Sequence, residues 1–339
     1  MKLDAFCHVM PRAYADRLAA IDDAPAATNI RNRIAGIPSL VDLDLRFRQM
    51  DEFGDDYRQI VSLPAPPIED VGDAATAREL ARIANEGQAE LVEQRPERFA
   101  GFVAGLPLND VEASVAETER AVRELGALGV QIYTNVGGRP WDDPELEPVL
   151  AKAAELDCAI WVHPNRNSRW PDYPGEEFSR YEIWWTFGWP YETSVFMARV
   201  VFSGLLDRYP NLKFITHHGG AMVPHFAGRV GAGWDQLGAR TPPEEKAQVE
   251  TPITGRPLDY FKRFYADTCM MDAPHSIECV LAFFGVDHVL FASDSPFDPE
   301  KGPGYIRATI ANLESLPLAD DDRRLIYEGN ARRLFNLPA

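Results

Sequence analysis

Eight short apolar runs are spread along this chain, and amphipathic stretches with helical spacing lie between most of them. The runs are Lys2–Cys7, Arg58–Leu63, Ala100–Gly105, Gly129–Tyr133, Ala159–His163, Leu212–His217, Arg263–Thr268 and His288–Ser293. Most are rich in Val, Ile and Phe and apolar on both faces, as parallel strands covered on both sides must be. The intervening patterns, 73–94, 111–125, 144–156, 191–209, 274–284 and 320–335, read as helices. Leu80, Ile83, Ala84, Leu91 and Val92 form one stripe of the first, and Gly126 stops the second. Pro144 opens the third, a start signal. Eight strands alternating with helices select a closed (β/α)8 barrel of the TIM type over an open sheet. At 339 residues the chain fits one such α/β domain, 1–339, with inserted loops.

Three segments interrupt the alternation. Pro11–Leu40 follows the first strand as a long irregular stretch, and Gly238–Asp259 is polar and Pro-rich. The segment Pro164–Pro190 carries Trp170, Tyr173, Tyr181, Trp184, Trp185 and Trp189. Long connections after barrel strands serve as lids or substrate walls, and aromatic ones also serve as subunit interfaces.

In a parallel barrel the C-terminal strand ends converge on one face, where active sites are built. His8, His163, His218 and Asp294 all stand at such ends. Each alone has a bland reading, for a strand-end histidine can be satisfied by a backbone carbonyl and an aspartate can cap a helix. Together they offer the imidazole and carboxylate donors that a borderline divalent cation takes. His217 and His218 are adjacent, and neighbours on a strand face opposite sides. At most one of them is therefore expected to reach the barrel axis.

Charge and cysteine usage narrow the partners. There are 34 Lys+Arg against 52 Asp+Glu, a formal net charge of -18, which argues against a nucleic-acid surface and anionic membranes. Cys7, Cys158, Cys269 and Cys279 form no CxxC pair and read as small thiols rather than a disulfide framework. The segment MKLDAFCHVMP lacks the apolar core of a secretory signal, so the cytoplasm is the expected compartment.

The ordered motifs RFRQMDEFG (46–54), PERFAGFVAGLPL (96–108), LGVQIYTN (128–135), WVHP (161–164), GWPYET (188–193), YPNLKFITHHGG (209–220), FYADT (264–268) and FASDSPF (291–297) run from the first strand to the last helix. With them the chain resembles the amidohydrolase superfamily, in the branch of aminocarboxymuconate semialdehyde decarboxylase and the aromatic-acid decarboxylases. The resemblance implies one divalent metal, zinc or in some decarboxylases manganese, held here by His8, His163 and Asp294. It implies His218 as acid/base, Arg46 on a substrate carboxylate, and Arg229 reaching the site of a neighbouring subunit in a homodimer. Trp189 joins Arg46 and Arg229 as an expected substrate contact within the aromatic segment. Position 6 departs from the pattern, because the first ligand should be His or Glu and Phe6 cannot ligate. Cys7 should point outward on a strand of period two. The reaction expected first is non-oxidative decarboxylation of a small carboxylated substrate. Hydrolysis of an amide, lactone or ester, with Asp294 as base, would use the same ligands. A catalytically reduced barrel, partnering an active paralogue in a heteromer, is the third reading, prompted by Phe6.

Overall fold

The computed structural model describes residues 1–21, 32 and 35–338. Eight parallel strands run in sequence order: β1 (Lys2–His8), β2 (Tyr57–Ser62), β3 (Phe99–Gly105), β4 (Gly129–Tyr133), β5 (Ala159–His163), β6 (Lys213–Thr216), β7 (Tyr265–Asp267) and β8 (Val289–Leu290). The last strand region returns to the first. Ala5 N–H donates to the Phe291 carbonyl at 2.8 Å, Asp294 N–H to Phe6 at 3.0 Å, and His8 N–H to Ser295 at 2.8 Å. These bonds bring Asp294 beside β1. The strand β8 is short because the Thr268 hydroxyl stands in for a backbone partner, accepting from Ala292 N–H at 2.9 Å and donating to its carbonyl at 3.1 Å.

The helices on the outside include α1 (Arg12–Ala19), α2 (Leu43–Met50), α3 (Ala74–Gln94), α4 (Val111–Arg123), α5 (Glu147–Glu155), α6 (Gly188–Phe202), α7 (Pro274–Phe284), α8 (Pro303–Ser315) and α9 (Asn330–Phe335). Asp42, Asp73 and Asp110 cap α2, α3 and α4 by accepting from backbone N–H groups in the first turn. Two predicted helices are interrupted. Gly204 adopts a left-handed φ of 73° and separates α6 from the turn Leu205–Arg208. A five-residue π-turn, Leu325–Gly329, divides 320–335. Three of these helices lie where none was expected, α2 (Leu43–Met50) among them. The helix α1 falls in the stretch read as irregular, and α8 begins Pro-Gly, which reads as a turn.

Leu3, Ala5, Phe6, Ile60, Val103, Trp161 and Ile215 fill the barrel interior. Trp161 spans it, donating its indole N–H to the Ala5 carbonyl at 2.8 Å and stacking on Phe335 of α9 at 4.7 Å. The strand β1 carries an irregularity that matters for the site. Asp4 pairs with Gln59 but Cys7 with Val61, so three steps on β1 oppose two on β2. The extra residue resets the alternation. Ala5 and Phe6 both join the interior cluster, whereas Cys7 packs with the residues under the helices. Its thiol reaches the Ile60 carbonyl at 3.3 Å, and burial pushes its pKa well up, so it is no thiolate donor.

Candidate active site

Three imidazoles meet where β1, β5 and β6 end. The donor nitrogens of His8, His163 and His217 lie within 4.8 Å of one another. Asp294 joins them, with Oδ1 3.2 Å from His8 Nε2 and 3.4 Å from His217 Nε2. His218 Nε2 lies 3.7 Å from Asp294 Oδ2.

The histidine pair just past β6 departs from the alternation expected of it. The strand ends at Thr216, and His218 takes a left-handed φ of 55°. That turn brings its ring back over its neighbour, with the two ring centres 3.9 Å apart. Both imidazoles therefore face Asp294, and neither is a remote structural group. His217 was the residue that sequence reasoning left without a role.

Each imidazole of the trio has its other nitrogen fixed. His8 Nδ1 lies 3.0 Å from the Leu63 carbonyl, and His163 Nδ1 lies 2.8 Å from the Pro164 carbonyl. His217 Nδ1 is 2.5 Å from Asp267 Oδ2. Carbonyl and carboxylate oxygens only accept, so Nδ1 carries the hydrogen in all three and Nε2 is left facing the centre. Asp267 stands at the end of β7 and also accepts from Gly219 N–H at 2.9 Å and Cys269 N–H at 3.1 Å. The FYADT motif ends a strand in a carboxylate just as FASDSPF does, and that was the signal for Asp267.

Burial lowers the pKa of His8, of His163 well down, and of His218, and neighbouring imidazoles lower them further. Burial opposes the charge on His217 too, but the Asp267 and Asp294 carboxylates win and raise it to about 9. Burial raises the Asp294 pKa, yet His217, His218 and His8 around it hold it well below the usual carboxylate range. The metal-binding expectation fits this donor set. His8 Nε2 and His217 Nε2 are buried and make no hydrogen bond, as nitrogens reserved for a cation would be.

A cavity of about 600 Å³ opens above the cluster. His163, His218 and Asp294 form its floor, while Trp184, Trp185, Trp189, Met270, Phe297 and Tyr305 are among its walls. Trp189, the expected substrate contact, packs edge-on to His163 at 5.3 Å and over His218 at 6.3 Å. No Lys or Arg lines this cavity among the described residues.

Two expected carboxylate-binding residues lie elsewhere. Arg46 does not face the cavity. It is buried on α2 behind β1, donating from Nη1 to the His8 carbonyl at 2.7 Å and from Nε to Gln59 Oε1 at 2.8 Å. Gln59 donates to the Tyr57 hydroxyl at 2.9 Å, and Tyr57 donates to Asp4 Oδ2 at 2.6 Å. Arg46 thus braces the backbone of His8 through a buried polar chain. Arg229, itself exposed, begins the turn Arg229–Gly233 and lines no wall of the cavity.

The family model for amidohydrolases matches residues 4–337. The chain belongs to the amidohydrolase family. This amidohydrolase is 33% identical over 304 residues to gamma-resorcylate decarboxylase of Polaromonas sp. strain JS666, with 87% of each chain covered. It is 30% identical over 262 residues to 2-amino-3-carboxymuconate-6-semialdehyde decarboxylase of Dictyostelium discoideum, covering 77% of this chain and 67% of that one. A crystal structure of dihydroxybenzoic acid decarboxylase from Polaromonas sp. JS666, with bound manganese and the inhibitor 2-nitroresorcinol, superposes with a TM-score of 0.75 at 28% identity. It covers 99% of this chain and 97% of that one.

Proposed function

We propose that this amidohydrolase is a divalent-metal-dependent decarboxylase of a small aromatic or muconate-type acid. The observation that carries the proposal is the donor cluster of His8, His163, His217 and Asp294 gathered beneath and at the floor of an aromatic-walled cavity, which His163 and Asp294 line. The similarity to decarboxylases across most of the chain supports it.

His8, His163 and Asp294 would hold the ion. When bound there, a divalent metal neutralises and polarises substrate oxygens. Trp184, Trp185 and Trp189 suit the faces and edges of a planar ring and exclude water. His218, on the cavity floor, holds the proton that is delivered to the ring carbon bearing the carboxylate. The carbon–carbon bond then breaks, its electron pair stays with the ring, and carbon dioxide leaves. One proton is consumed and one carboxylate is lost for each turnover.

Manganese and zinc both suit two imidazoles and a carboxylate, and the manganese in the similar decarboxylase structure favours manganese. The lack of a Lys or Arg among the described residues of the cavity wall favours a homodimer in which an exposed Arg229 completes the partner's site. Four free cysteines fit a cytoplasmic location, and no described helix is long and apolar enough to cross a membrane.

The test is incubation of manganese-loaded protein with a panel of hydroxybenzoates and carboxylated muconates in weak buffer. Carbon dioxide release with a rise in pH is the expected result. Release of acid from ester, lactone or amide substrates, with no carbon dioxide from any acid, would replace decarboxylation with hydrolysis.

A further inference from the structure

The proposed metal site lacks a donor at position 6, where Phe6 closes the interior instead. We infer that His217 supplies the missing donor and that His218 beside it is thereby left free for proton transfer. The inference rests on the metal-dependent reading proposed above, but it concerns which side chains hold the ion.

Geometry separates the two neighbours. His217 is fully buried and does not line the cavity, so it has no path to a substrate. Its ring is clamped between Phe6, stacked at 3.9 Å with an interplanar angle of 13°, and His218, also at 3.9 Å. Asp267 holds its Nδ1 hydrogen, and Nε2 is a buried nitrogen without a hydrogen bond. A carboxylate backing an imidazole in this way is the arrangement that orients metal-binding histidines. His8 Nε2 is orphaned in the same manner at the same centre.

The spacing agrees. Atoms bound to one ion at about 2.1 Å stand about 3.0 to 3.4 Å apart, depending on coordination number. Asp294 Oδ1 lies 3.2 Å from His8 Nε2 and 3.4 Å from His217 Nε2. His218 contrasts at each point. Its side chain is 15% exposed, it lines the cavity, and its Nε2 stands off at 3.7 Å from Asp294 Oδ2. The substitution at position 6 has thus moved a ligand from β1 to the end of β6, and the second histidine of the His217–His218 pair takes the acid/base task.

The experiment titrates metal-stripped full-length protein with Mn²⁺ alone and follows free Mn²⁺ by electron paramagnetic resonance. His217→Gln should weaken binding by about 100-fold or more, and His218→Gln by less than about 3-fold. Phe6→His added to His217→Gln should recover at least about 10-fold of the loss. Binding within 3-fold of wild type in a folded His217→Gln protein overturns the inference. Should that variant not fold, X-ray absorption of the manganese-loaded wild type decides, with three imidazoles supporting the inference and two overturning it. The carbon dioxide assay is read separately. Turnover by a protein whose metal ignores His217 sinks this inference alone, and a His217-dependent metal without turnover sinks the decarboxylase reading alone.

Discussion

The Phe6 ring lies flat on the imidazole of His217, 3.9 Å between centres and 13° from parallel. The contact exists because the irregularity in β1 turns Phe6 inward two residues before His8. A donor at position 6 would therefore enter the same centre. Phe6→His is expected to tighten Mn²⁺ binding by about 10-fold or more, checked by competition with a chelator of known strength. An unchanged affinity would show that position 6 does not face the ion.

Asp267 touches the centre through His217 and through the two backbone N–H groups it accepts from. Asp267→Asn keeps the size and one acceptor but removes the charge that fixes the His217 tautomer. Mn²⁺ affinity should fall about 10- to 100-fold while the melting temperature shifts by only a few degrees. Calorimetric titration beside thermal unfolding separates this outcome from general damage to the fold.

His218→Asn should leave the metal content unchanged and lower kcat by about 100- to 10,000-fold, the usual range for a lost general acid. Elemental analysis and steady-state kinetics on one preparation make the comparison. Metal lost in proportion to activity would assign His218 to the ion instead.

Most of this architecture was legible because it rests on local signals. Each apolar run became a strand of the barrel, and β4 and β5 kept both their expected ends, since Gly129 and His163–Pro164 punctuate them sharply. The meeting of His8, His163 and Asp294 follows from position at strand ends. The relation of His217 to His218 did not, because the alternation rule holds only while the backbone is extended, and His218 is in the left-handed region. Arg46 was misplaced for a different reason. Sequence shows that an arginine is present but not which face of its helix meets β1, and here the buried His8 carbonyl and Gln59 take its guanidinium. The helix α8 hid behind a Pro-Gly start and a β-branched interior.

Trp189 lines both the cavity of about 600 Å³ above the histidine cluster and a second one of about 710 Å³ that includes Asn165, Arg166 and Arg169. Its indole N–H is anchored on the Arg166 carbonyl at 3.0 Å. Trp189→Ala removes this shared lining and one aromatic face. KM for an aromatic acid should rise about 3- to 10-fold, the worth of one ring contact, with metal content unaffected. A fall in kcat at constant KM would mean that the ring tunes His218 rather than holding substrate.

Asp4 offers a check on the fold independent of the metal. It is fully buried, and burial outweighs the hydrogen bonds from Ser293 and Tyr57, so its pKa is raised from 3.8 to about 6. Between these values the folded protein keeps a proton that the unfolded chain has released. Stability then falls as pH rises through the window, by about 1.4 kcal/mol per pH unit and of the order of 3 kcal/mol in total, and levels off above pH 6. In Asp4→Asn this contribution disappears. Urea unfolding of both proteins from pH 4 to 7 should give a wild-type minus variant difference that declines with pH and then becomes flat. A difference constant across the range would mean that Asp4 stays ionised within its ring of donors, with Tyr57 and Ser293 stabilising the charge more than burial penalises it.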